Sequence, residues 1–572
     1  MALHLQSCLS SLKPQIVPTI AQLSQNFNNL KLDSLHIANK WSINVEEERR
    51  SALIKQHRDL SSNNNHSEKL EVVKHELRNV GENSLKGLYM IDAMQRLNID
   101  YHFEEEIESF LRRQYVASAC GGSNHHNLHE TALHFRLLRQ QGHFVPAEVF
   151  NKFTNKDEKF DPKLGENING MIDLFEASHL NLAGEDILDE AGKFSRKILK
   201  EKMAQFDFHE AKFVRRTLEY PFHKNLPMFT ARNFYGHLYS TNAWFGSMKE
   251  VAKMDFSLLQ GLHHQEIVQI SKWWRELGLA NELPYARNQP LKWYMWSLGC
   301  LTDPTLSEER IELTKPISLI YIIDDIFDIY GTLDELTLFT EVVSRWDIDT
   351  DMEQLPNYMK TCFRVLYDLT NELSSKIYKK HGWDPKDSLR KTWESLCKAF
   401  LVEAKWFGSG KLPNAEEYLK NGIVSSGVHI VLVHIFFLLG KGLTKENVHT
   451  MDTTLSIISA PATILRLWDD LGNAEDENQQ GNDGSYVKCL MMDQPEYYCT
   501  RRRATDEVMN KISNAWKSLN QECLFDTHFH KAFTKVSLNL ARMVPLMYSY
   551  DDKHSLPGLE GYVHSLLYDK VF

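Results

Sequence analysis

Apolar residues recur at three- and four-residue spacing along most of the chain from about Trp41 onward. Two segments with this pattern are GLYMIDAMQRLNI at 87–99 and TALHFRLLRQQG at 131–142. This spacing predicts amphipathic helices, whereas the alternating pattern of a half-buried strand is scarce. The sequence therefore predicts an all-α protein.

Breaks in the helical pattern occur near residues 225–229 and 288–293, without a fixed-period repeat or a low-complexity linker. After Gly331, the segment Thr332–Glu335 predicts a new helix start with a capping box. A chain of 572 residues is long enough for two or more domains. We place the change of domain at about residues 240–256.

The charge balance argues against nucleic acid as a partner. The chain has 76 acidic and 65 basic residues, a formal net charge of -11, and no stripe of lysine and arginine that would follow a phosphate backbone. Eight cysteines are scattered without a CxxC pair, which argues against a zinc ribbon or redox motif and indicates a reducing compartment.

The longest apolar run, GIVSSGVHIVLVHIFFLLG at 422–440, is barely long enough to span a bilayer. It also contains His429 and His434, which is typical of a buried core helix. We therefore expect no membrane span and no membrane partner.

The first 32 residues contain no aspartate or glutamate, several serines, and two lysines, Lys13 and Lys31. This composition favours an organelle-targeting segment, although it has no arginine and lacks the apolar core of a secretory signal. We interpret residues 1–38 as a transit peptide for the chloroplast. The alternative is a disordered arm on a cytoplasmic protein.

Three aspartates lie near the end of an apolar helical stretch, ISLIYIIDDIFDIYGT at 317–332. Asp324 and Asp328 are four residues apart and share a helix face, with Asp325 about 100° round the helix. No basic residue of this segment offsets the charges, so the acids either face solvent or await a cation from outside the chain. Mg²⁺ binds through one or two carboxylates and completes its shell with water and phosphate. A solvated acidic face is the alternative.

A second acidic cluster follows another apolar stretch, within LRLWDDLGNAEDENQQGNDGSY at 465–486. Asp469, Asn473 and Glu477 lie at successive four-residue steps, so one helix face presents three oxygen donors. Arg466, about one turn earlier, offers a guanidinium group to phosphate oxygens. An ordinary charged surface helix is the alternative, but two oxygen-rich faces on separate core helices favour a metal site.

These two motifs resemble those of plant class I terpene synthases. Asp324-Asp325-Ile-Phe-Asp328 is similar to their DDxxD motif, and DDLGNAEDE at 469–477 is similar to (N/D)DxxSxxxE. The segments ETALHFRLLRQQGHFV, LEYPFH and ISKWWRELGLANELPYARNQPLKWYMW also resemble the family. The resemblance covers nearly the whole chain. It implies an N-terminal α-barrel at 39–245 and a catalytic α-bundle at 246–572, whose metal-binding helices face each other across an apolar pocket.

The resemblance implies roles for eight polar side chains, six as metal ligands and two as diphosphate-binding residues. They are the metal ligands Asp324, Asp325, Asp328, Asp469, Asn473 and Glu477, with Asp324 and Asp328 as the catalytic pair, and the diphosphate-binding Arg287 and Arg466. Two positions depart from the family pattern. Asn473 stands where a serine or threonine is usual, and the Arg-x-Arg pair reads Arg287-Asn288-Gln289, so one expected cation is missing.

The resemblance also implies a pocket wall that stabilises a carbocation. Trp296 would face the reacting chain, where an electron-rich ring stabilises a cation by about 0.5–2 kcal/mol. Ser425, Ser426 and Gly427 would form a helix kink whose carbonyl groups point at the cation, and Tyr548 would pair with Asp551 or Asp552 at the pocket mouth. Core packing is the alternative role for the tryptophan.

Four histidines in NHHNLHETALHF are a competing candidate metal site, namely His125, His126, His129 and His134. His129 and His134 are five residues apart rather than the four of HExxH, so they do not share a helix face as a zinc site on one helix requires. We expect no zinc site here.

The implied reaction is ionisation of geranyl or farnesyl diphosphate with Mg²⁺, or alternatively Mn²⁺, as the cofactor. An apolar pocket would shield the carbocation until it loses a proton or captures water. The N-terminal half has no DxDD motif, so protonation-initiated cyclisation is not expected, and no nucleophilic triad or organic cofactor is implied. We expect the enzyme to be a monomer.

The segment 39–57 lacks the RRx8W arginine pair that many cyclising members of the family carry. Together with Arg287-Asn288-Gln289, this absence resembles the linalool and nerolidol synthases, which make acyclic alcohols. The predicted product is therefore linalool, nerolidol or both. The alternatives are a cyclising or olefin-forming mono- or sesquiterpene synthase, a prenyl chain-elongating transferase, and a catalytically inactive helical scaffold.

Overall fold

A computed structural model describes most of the chain from residue 64 onward. The described ranges are 64–81, 84–119, 127–237, 243–284, 286–347, 352–451, 456–474, 485–497, 500–525, 528–549 and 556–569. Within them the regular structure is helical, and the one β-type pairing is an isolated antiparallel bridge between Thr154 and Phe160. The predicted all-α class is confirmed. The predicted transit peptide, 1–38, lies outside the described residues.

The α-helices of the described residues are numbered here in chain order. The first group is α1 Asn64–Arg78, α2 Leu85–Arg96, α3 Glu104–Ala119, α4 Leu128–Gln140, α5 Ile168–Ser178, α6 Asp186–Lys202, α7 Phe208–Glu219, α8 Pro227–His237 and α9 Ala243–Leu277. The second group is α10 Leu279–Glu282, α11 Pro290–Cys300, α12 Ser307–Asp325, α13 Leu333–Arg345, α14 Asn357–His381, α15 Lys386–Ser409, α16 Ala415–Ser425, α17 Val428–Leu439, α18 Lys445–Met451, α19 Ser456–Ala474, α20 Tyr486–Asp493, α21 Arg501–Leu524, α22 Lys531–Tyr548 and α23 Pro557–Leu567. Short 3₁₀ turns lie at Asp100–His102, Ala147–Phe153, Pro162–Glu166, Met203–Gln205, Phe222–Lys224, Pro304–Leu306 and Met352–Gln354.

The apolar side chains form two buried clusters. The smaller one is built by α1 to α4 with the first turns of α9, and includes Val73, Phe110 and Val251. The larger one takes in the helices that follow, and α9 reaches it through Ile270. Helix α9 therefore contributes to both clusters and contains residue 245, where we place the end of the N-terminal domain. That boundary stays a prediction.

A buried ion pair fixes the helices that carry the candidate site. Arg310 on α12 and Glu266 on α9 are 0% and 1% exposed, and two guanidinium nitrogens lie 2.7 and 2.9 Å from the two carboxylate oxygens. Tyr294 on α11 donates its hydroxyl to the same carboxylate at 2.7 Å. Such bidentate bonding satisfies both charges. It holds α9, α11 and α12 in one arrangement.

Helix α13 begins at the predicted capping box. The Thr332 N–H donates to Glu335 Oε2 at 2.9 Å, and the Glu335 N–H donates to Thr332 Oγ1 at 3.4 Å. A Cβ atom on the preceding Gly331 would lie 2.4 Å from Leu336 Cδ2, so a side chain between the acidic motif and this cap would require Leu336 to move. The helix start at Thr332 is thus confirmed.

The longest apolar run of the sequence lies in α16 and α17. In the described part of the chain, the segment Ala415–Leu439 has the length and composition to cross a membrane, but 67% of its most apolar window is buried inside the protein. His434 is buried, and its Nδ1 lies 2.7 Å from the carbonyl oxygen of Ile430. Neighbouring helices therefore cover the run, in agreement with the predicted core helix.

Candidate active site

The first acidic cluster lies where α12 ends. Asp324 and Asp325 occupy its last turn, and the chain continues as a π-helical turn over Ile326–Tyr330, a form often found at functional sites. The Gly331 N–H donates to the Ile326 carbonyl, five residues earlier, at 2.9 Å. In this arrangement Asp325 is buried, Asp324 is half-buried and Asp328 is exposed.

Arg287, in the segment before α11, bonds to two of these aspartates. Its backbone N–H donates to Asp325 Oδ2 at 2.6 Å, and its Nε donates to Asp325 Oδ1 at 2.8 Å. Its Nη2 donates to Asp324 and, at 3.2 Å, to the carbonyl oxygen of Tyr321. The expectation that the acids meet only solvent or an external cation is therefore wrong for Asp324 and Asp325. The partner lies more than 30 residues earlier in the chain, where the local sequence gave no sign of it.

The surroundings disfavour negative charge on two of the carboxyl groups. Burial raises the pKa of Asp325 to about 6, against the lowering effect of Arg287. Asp328 is accessible to solvent but closely surrounded by protein, and this desolvation together with the charge of Asp324 raises its pKa to about 8. A cation stabilises carboxylates that crowd in this way. The donor set therefore fits a divalent metal ion.

Helix α19 brings the second acidic cluster near the first. Burial raises the pKa of Asp469, Arg466 opposes the rise, and the charge of Asp324 adds to it. Asp324 and Asp469 therefore lie within electrostatic range of each other. Asn473 belongs to the last turn of α19, while its side chain and Glu477 fall outside what the structure describes.

Arg466 belongs to a buried polar network that joins α15, α16 and α19. Its Nη2 donates to Ser425 Oγ at 2.6 Å and lies 3.3 Å from Glu403 Oε1. The Ser425 hydroxyl in turn donates to Glu403 Oε1 at 2.6 Å, and Asn421 Nδ2 donates to the same oxygen at 3.2 Å. The charge of Glu403 also contributes to the raised pKa of Asp328, so this network borders the first acidic cluster.

Helix α16 ends at Ser425, and Ser426 and Gly427 separate it from α17, so the predicted helix break is present. Gly427 has a left-handed φ of 71°. A Cβ atom there would lie 2.9 Å from Ile320 Cγ2 on α12. The break therefore packs closely against the helix that carries the first acidic cluster. The direction of its carbonyl groups toward a substrate cation stays a prediction.

Gly427→Ala should lower the free energy of unfolding by about 1–2 kcal/mol, because an L side chain is strained at this φ and meets Ile320. Denaturant unfolding measures the change. Gly408→Ala is the matched control, since a Cβ atom there meets nothing within 4 Å, and it should leave stability equal or slightly raised. Equal losses in both variants would contradict the strain at Gly427.

The predicted pocket aromatics lie close together. Trp296 on α11 is 6% exposed and donates its indole N–H to the Tyr321 hydroxyl at 2.9 Å. The rings of Trp296 and Tyr548 are 6.2 Å apart, so α11 and the end of α22 meet here. Asp551 and Asp552, the predicted partners of Tyr548, lie outside the described residues.

Two charged residues near the acidic clusters were missed in the sequence. Glu403 on α15 belongs to the network described above, and Lys292 on α11 is half-buried. Burial and the charge of Arg287 lower the pKa of Lys292 to about 8, while Asp469 opposes that shift. Glu403 follows Phe400 by three residues, and Lys292 precedes Trp296 by four. Each charged residue therefore lies on the same helix face as a large apolar side chain. That spacing was the available signal.

The described histidines of the competing candidate site do not converge. His129 bonds to Asp173 and lies 2.6 Å from the Tyr89 hydroxyl, whereas buried His134 has Ser118 Oγ at 3.4 Å. His125 and His126 lie outside the described residues.

A different group, which the sequence did not indicate, is His66, His102 and Asp255, whose polar atoms lie within 4.8 Å of one another. The histidine Nε2 atoms are 2.9 and 2.8 Å from the aspartate oxygens, and Tyr101 donates to the same carboxylate at 2.6 Å. These are hydrogen-bond distances. We interpret the group as a hydrogen-bonded link between α9 and the N-terminal helices.

Two family models match the chain. Residues 40–218 match the terpene synthase N-terminal domain, and residues 275–518 match the metal-binding domain of the terpene synthase family. Together they account for more than half of the sequence.

Two named relatives align over most of their length. An (E)-nerolidol synthase from Cannabis sativa is 52% identical over 493 residues, which is 84% of this chain and 88% of the relative. The chloroplastic S-(+)-linalool synthase from Arabidopsis thaliana is 46% identical over 571 residues, which is 98% of each protein.

A solved structure has the same architecture. Isoprene synthase from grey poplar (Populus x canescens), in complex with three Mg²⁺ ions and dimethylallyl-S-thiolodiphosphate, superimposes with a TM-score of 0.82 at 34% identity, covering 89% of this chain and 97% of that one. The two-domain architecture predicted from the sequence is thereby confirmed. The chain belongs to the terpene synthase family, lyases that act on prenyl diphosphates through a metal-binding domain.

Proposed function

We propose that this terpene synthase ionises geranyl diphosphate, farnesyl diphosphate or both, and quenches the carbocation with water to release linalool or nerolidol. The observation that carries the proposal is the position of Asp324. It lies within electrostatic range of Asp469, Asp328 and Glu403, and it bonds to Arg287. Acidic groups of two helices and a guanidinium group thus lie close to one another, which is the arrangement needed to bind a metal and a diphosphate.

The metal ligands would come from both helices. Asp324 and Asp328 would serve from the first cluster with Asp325 beside them, and Asp469, Asn473 and Glu477 from the second. A bound Mg²⁺ or Mn²⁺ ion would supply Lewis-acid activation of the diphosphate leaving group. The raised pKa values of Asp325 and Asp328 support the assignment, because burial and the charge of Asp324 raise both against the effect of Arg287, and a bound cation would relieve this crowding of carboxylates.

Two arginines would hold the diphosphate. Arg287 is 37% exposed, so it has guanidinium surface to offer in addition to its bonds with Asp324 and Asp325. Arg466 is 14% exposed and is held in place by Ser425 and Glu403. Charge-assisted bonds from guanidinium to phosphate are short and strong.

The hydrocarbon part of the substrate would lie against the aromatic wall. Trp296 and Tyr548 meet on one side, and the break at Ser425 and Gly427 lies against α12. Aromatic faces stabilise a nearby cation, and an apolar wall keeps water away until the quenching step.

An acyclic alcohol is favoured over a ring by two sequence features and by the relatives. The chain lacks RRx8W, and it has Gln289 where the family's second arginine is usual. The nerolidol and linalool synthases described above align over 84% and 98% of the chain. A cyclising or olefin-forming synthase remains the alternative. We also propose the domain limits 39–245 and 246–572.

We propose the chloroplast as the location, with the cytoplasm as the alternative. The composition of residues 1–38 supports import, as does the Arabidopsis thaliana relative, which is named chloroplastic. The compartment would then decide which prenyl diphosphate the enzyme meets.

The product identifies the reaction. Purified protein with Mg²⁺ in ¹⁸O-water should convert geranyl diphosphate to linalool and farnesyl diphosphate to nerolidol, each carrying the label, because the hydroxyl comes from water at the tertiary cation. Gas chromatography with mass detection measures both. Cyclic hydrocarbons would favour the cyclising alternative, longer diphosphates a chain-elongating transferase, and no turnover an inactive scaffold. Unlabelled alcohol would contradict water capture.

A further inference from the structure

We propose that Lys292 binds the substrate diphosphate and supplies the second cation that Gln289 does not provide. This inference rests on the proposed function. It starts from a gap in the sequence pattern, since Arg287-Asn288-Gln289 has one guanidinium group where the family pattern has two.

The position of Lys292 on α11 directs it to the candidate site. Gln289 is the N-cap of α11, and Lys292 follows three residues later, almost one turn along the helix. Lys292 also lies four residues before Trp296, so the two side chains share a helix face. That face is the one on which Trp296 meets Tyr321 and Tyr548.

The charges around Lys292 define the ligand that it would take. The charged groups that act on it are Arg287, which bonds to the first acidic cluster, and Asp469, which belongs to the second. Among the described residues, no hydrogen bond or ion pair engages its ammonium group, although the residue is half-buried. Asp469 offsets part of the repulsion between Lys292 and Arg287, but no anion bonds to the ammonium group of Lys292 among the described residues, so an anion that contacts both cations would stabilise them. A diphosphate between Lys292 and Arg287 would be that anion.

The start of α11 adds to the positive electrostatic potential around Lys292 and Arg287. Pro290, the first residue of α11, has no N–H group, but the N–H groups of the residues that follow it in the first turn have no partner within the helix, and the positive end of the helix dipole lies there. Gln289 Oε1 is buried without a hydrogen-bond donor in the described part of the chain. Replacing Gln289 therefore removes no internal hydrogen bond of that oxygen, which makes the position suitable for a compensation test.

The test measures binding of inorganic pyrophosphate to the full-length protein with Mg²⁺ by calorimetry. Lys292→Met should weaken binding by about 10-fold or more, the effect of a lost charge-assisted contact, and Lys292→Arg should stay within about threefold of the wild type. With geranyl diphosphate, Lys292→Met should raise KM as well as lower kcat. Lys272→Met is the charge-matched control, since that lysine is 69% exposed, and it should bind as the wild type does.

The double variant Gln289→Arg with Lys292→Met should recover most of the lost affinity, because it moves the cation back by one turn. The proposal would be overturned if Lys292→Met bound pyrophosphate as tightly as the wild type, or if it lost no more affinity than the control Lys272→Met. Failure of Gln289→Arg to recover binding would overturn the substitution of one cation for the other. If the wild type converts neither prenyl diphosphate, the proposed function fails, and the pyrophosphate titrations still decide the role of Lys292.

Discussion

Asp328→Asn should reduce turnover of geranyl diphosphate by about 100-fold or more, since removing a metal ligand takes away several kcal/mol of transition-state stabilisation. The stability of the folded state should not decrease. Asp328 is exposed, makes no hydrogen bond among the described residues, and is disfavoured as an anion by desolvation and by the charge of Asp324. Removing its charge relieves that repulsion, so the melting temperature without metal should stay equal or rise slightly. Product assays and thermal unfolding measure the two effects.

Asp334→Asn is the matched control, because Asp334 is an exposed aspartate in the first turn of α13, six residues further along. It should keep turnover near the wild-type value. Turnover of Asp328→Asn within about threefold of this control would contradict the metal assignment, since such a change is well under 1 kcal/mol.

Asp325→Asn should behave differently from Asp328→Asn. Clustered like charges repel one another, and on this ground alone the loss of one of them would leave stability intact. The structure corrects this for Asp325, because its two oxygens accept from the backbone N–H and the guanidinium Nε of Arg287. An amide can accept only one of these bonds well. Asp325→Asn should therefore lower both turnover and stability.

The pattern of apolar residues was sufficient to predict the class of fold. Three- and four-residue spacing marks helices wherever one face is buried, and the capping box at Thr332 uses only neighbours in sequence. The break before α17 could be predicted for the same reason, since Gly427 is the residue suited to a left-handed conformation. Local chemistry determines these features.

The partners of the acidic residues could not be predicted, because they come from distant parts of the chain. Arg287 meets Asp325 across 38 residues, and Arg466 meets Glu403 across 63. The different exposures of Asp325 and Asp328 also follow from the π-helical turn, which replaces regular α-helical stacking. A helical wheel assumes a regular helix and therefore cannot separate the roles of the three aspartates.

Arg466→Met should lower the free energy of unfolding by about 3–5 kcal/mol at pH 8, because breaking a buried ion pair leaves its partner charged and unpaired. The carboxylates left behind are Glu403, with its nearest oxygen 3.3 Å from the guanidinium group, and Asp469 and Asp470 at 3.8 and 3.9 Å. Asp470 keeps the hydroxyl of Tyr418 at 3.0 Å but loses its cation. Turnover should fall as well, since the same guanidinium group is proposed to hold the diphosphate.

The dependence on pH separates lost charge from lost packing in Arg466→Met. Burial already raises the pKa of Asp470 to about 7 from an ordinary value of 3.8, and it raises that of Glu403. Without the arginine both pKa values should rise further. Carboxyl groups with a raised pKa in the folded state bind protons more readily there than in the unfolded chain, so they destabilise the fold increasingly as pH rises above about 4.

The deficit of Arg466→Met should therefore shrink on acidification. Denaturant unfolding at pH 8 and pH 5 should show a smaller difference from the wild type at pH 5, where protonated carboxyl groups no longer need the cation. Arg466→Lys, which keeps the charge, should lose less stability at pH 8 than Arg466→Met. Arg345→Met removes an arginine that is 58% exposed and should change stability by less than about 0.5 kcal/mol at either pH. A deficit of the same size at both pH values would show that Arg466 stabilises the site by packing rather than by its charge.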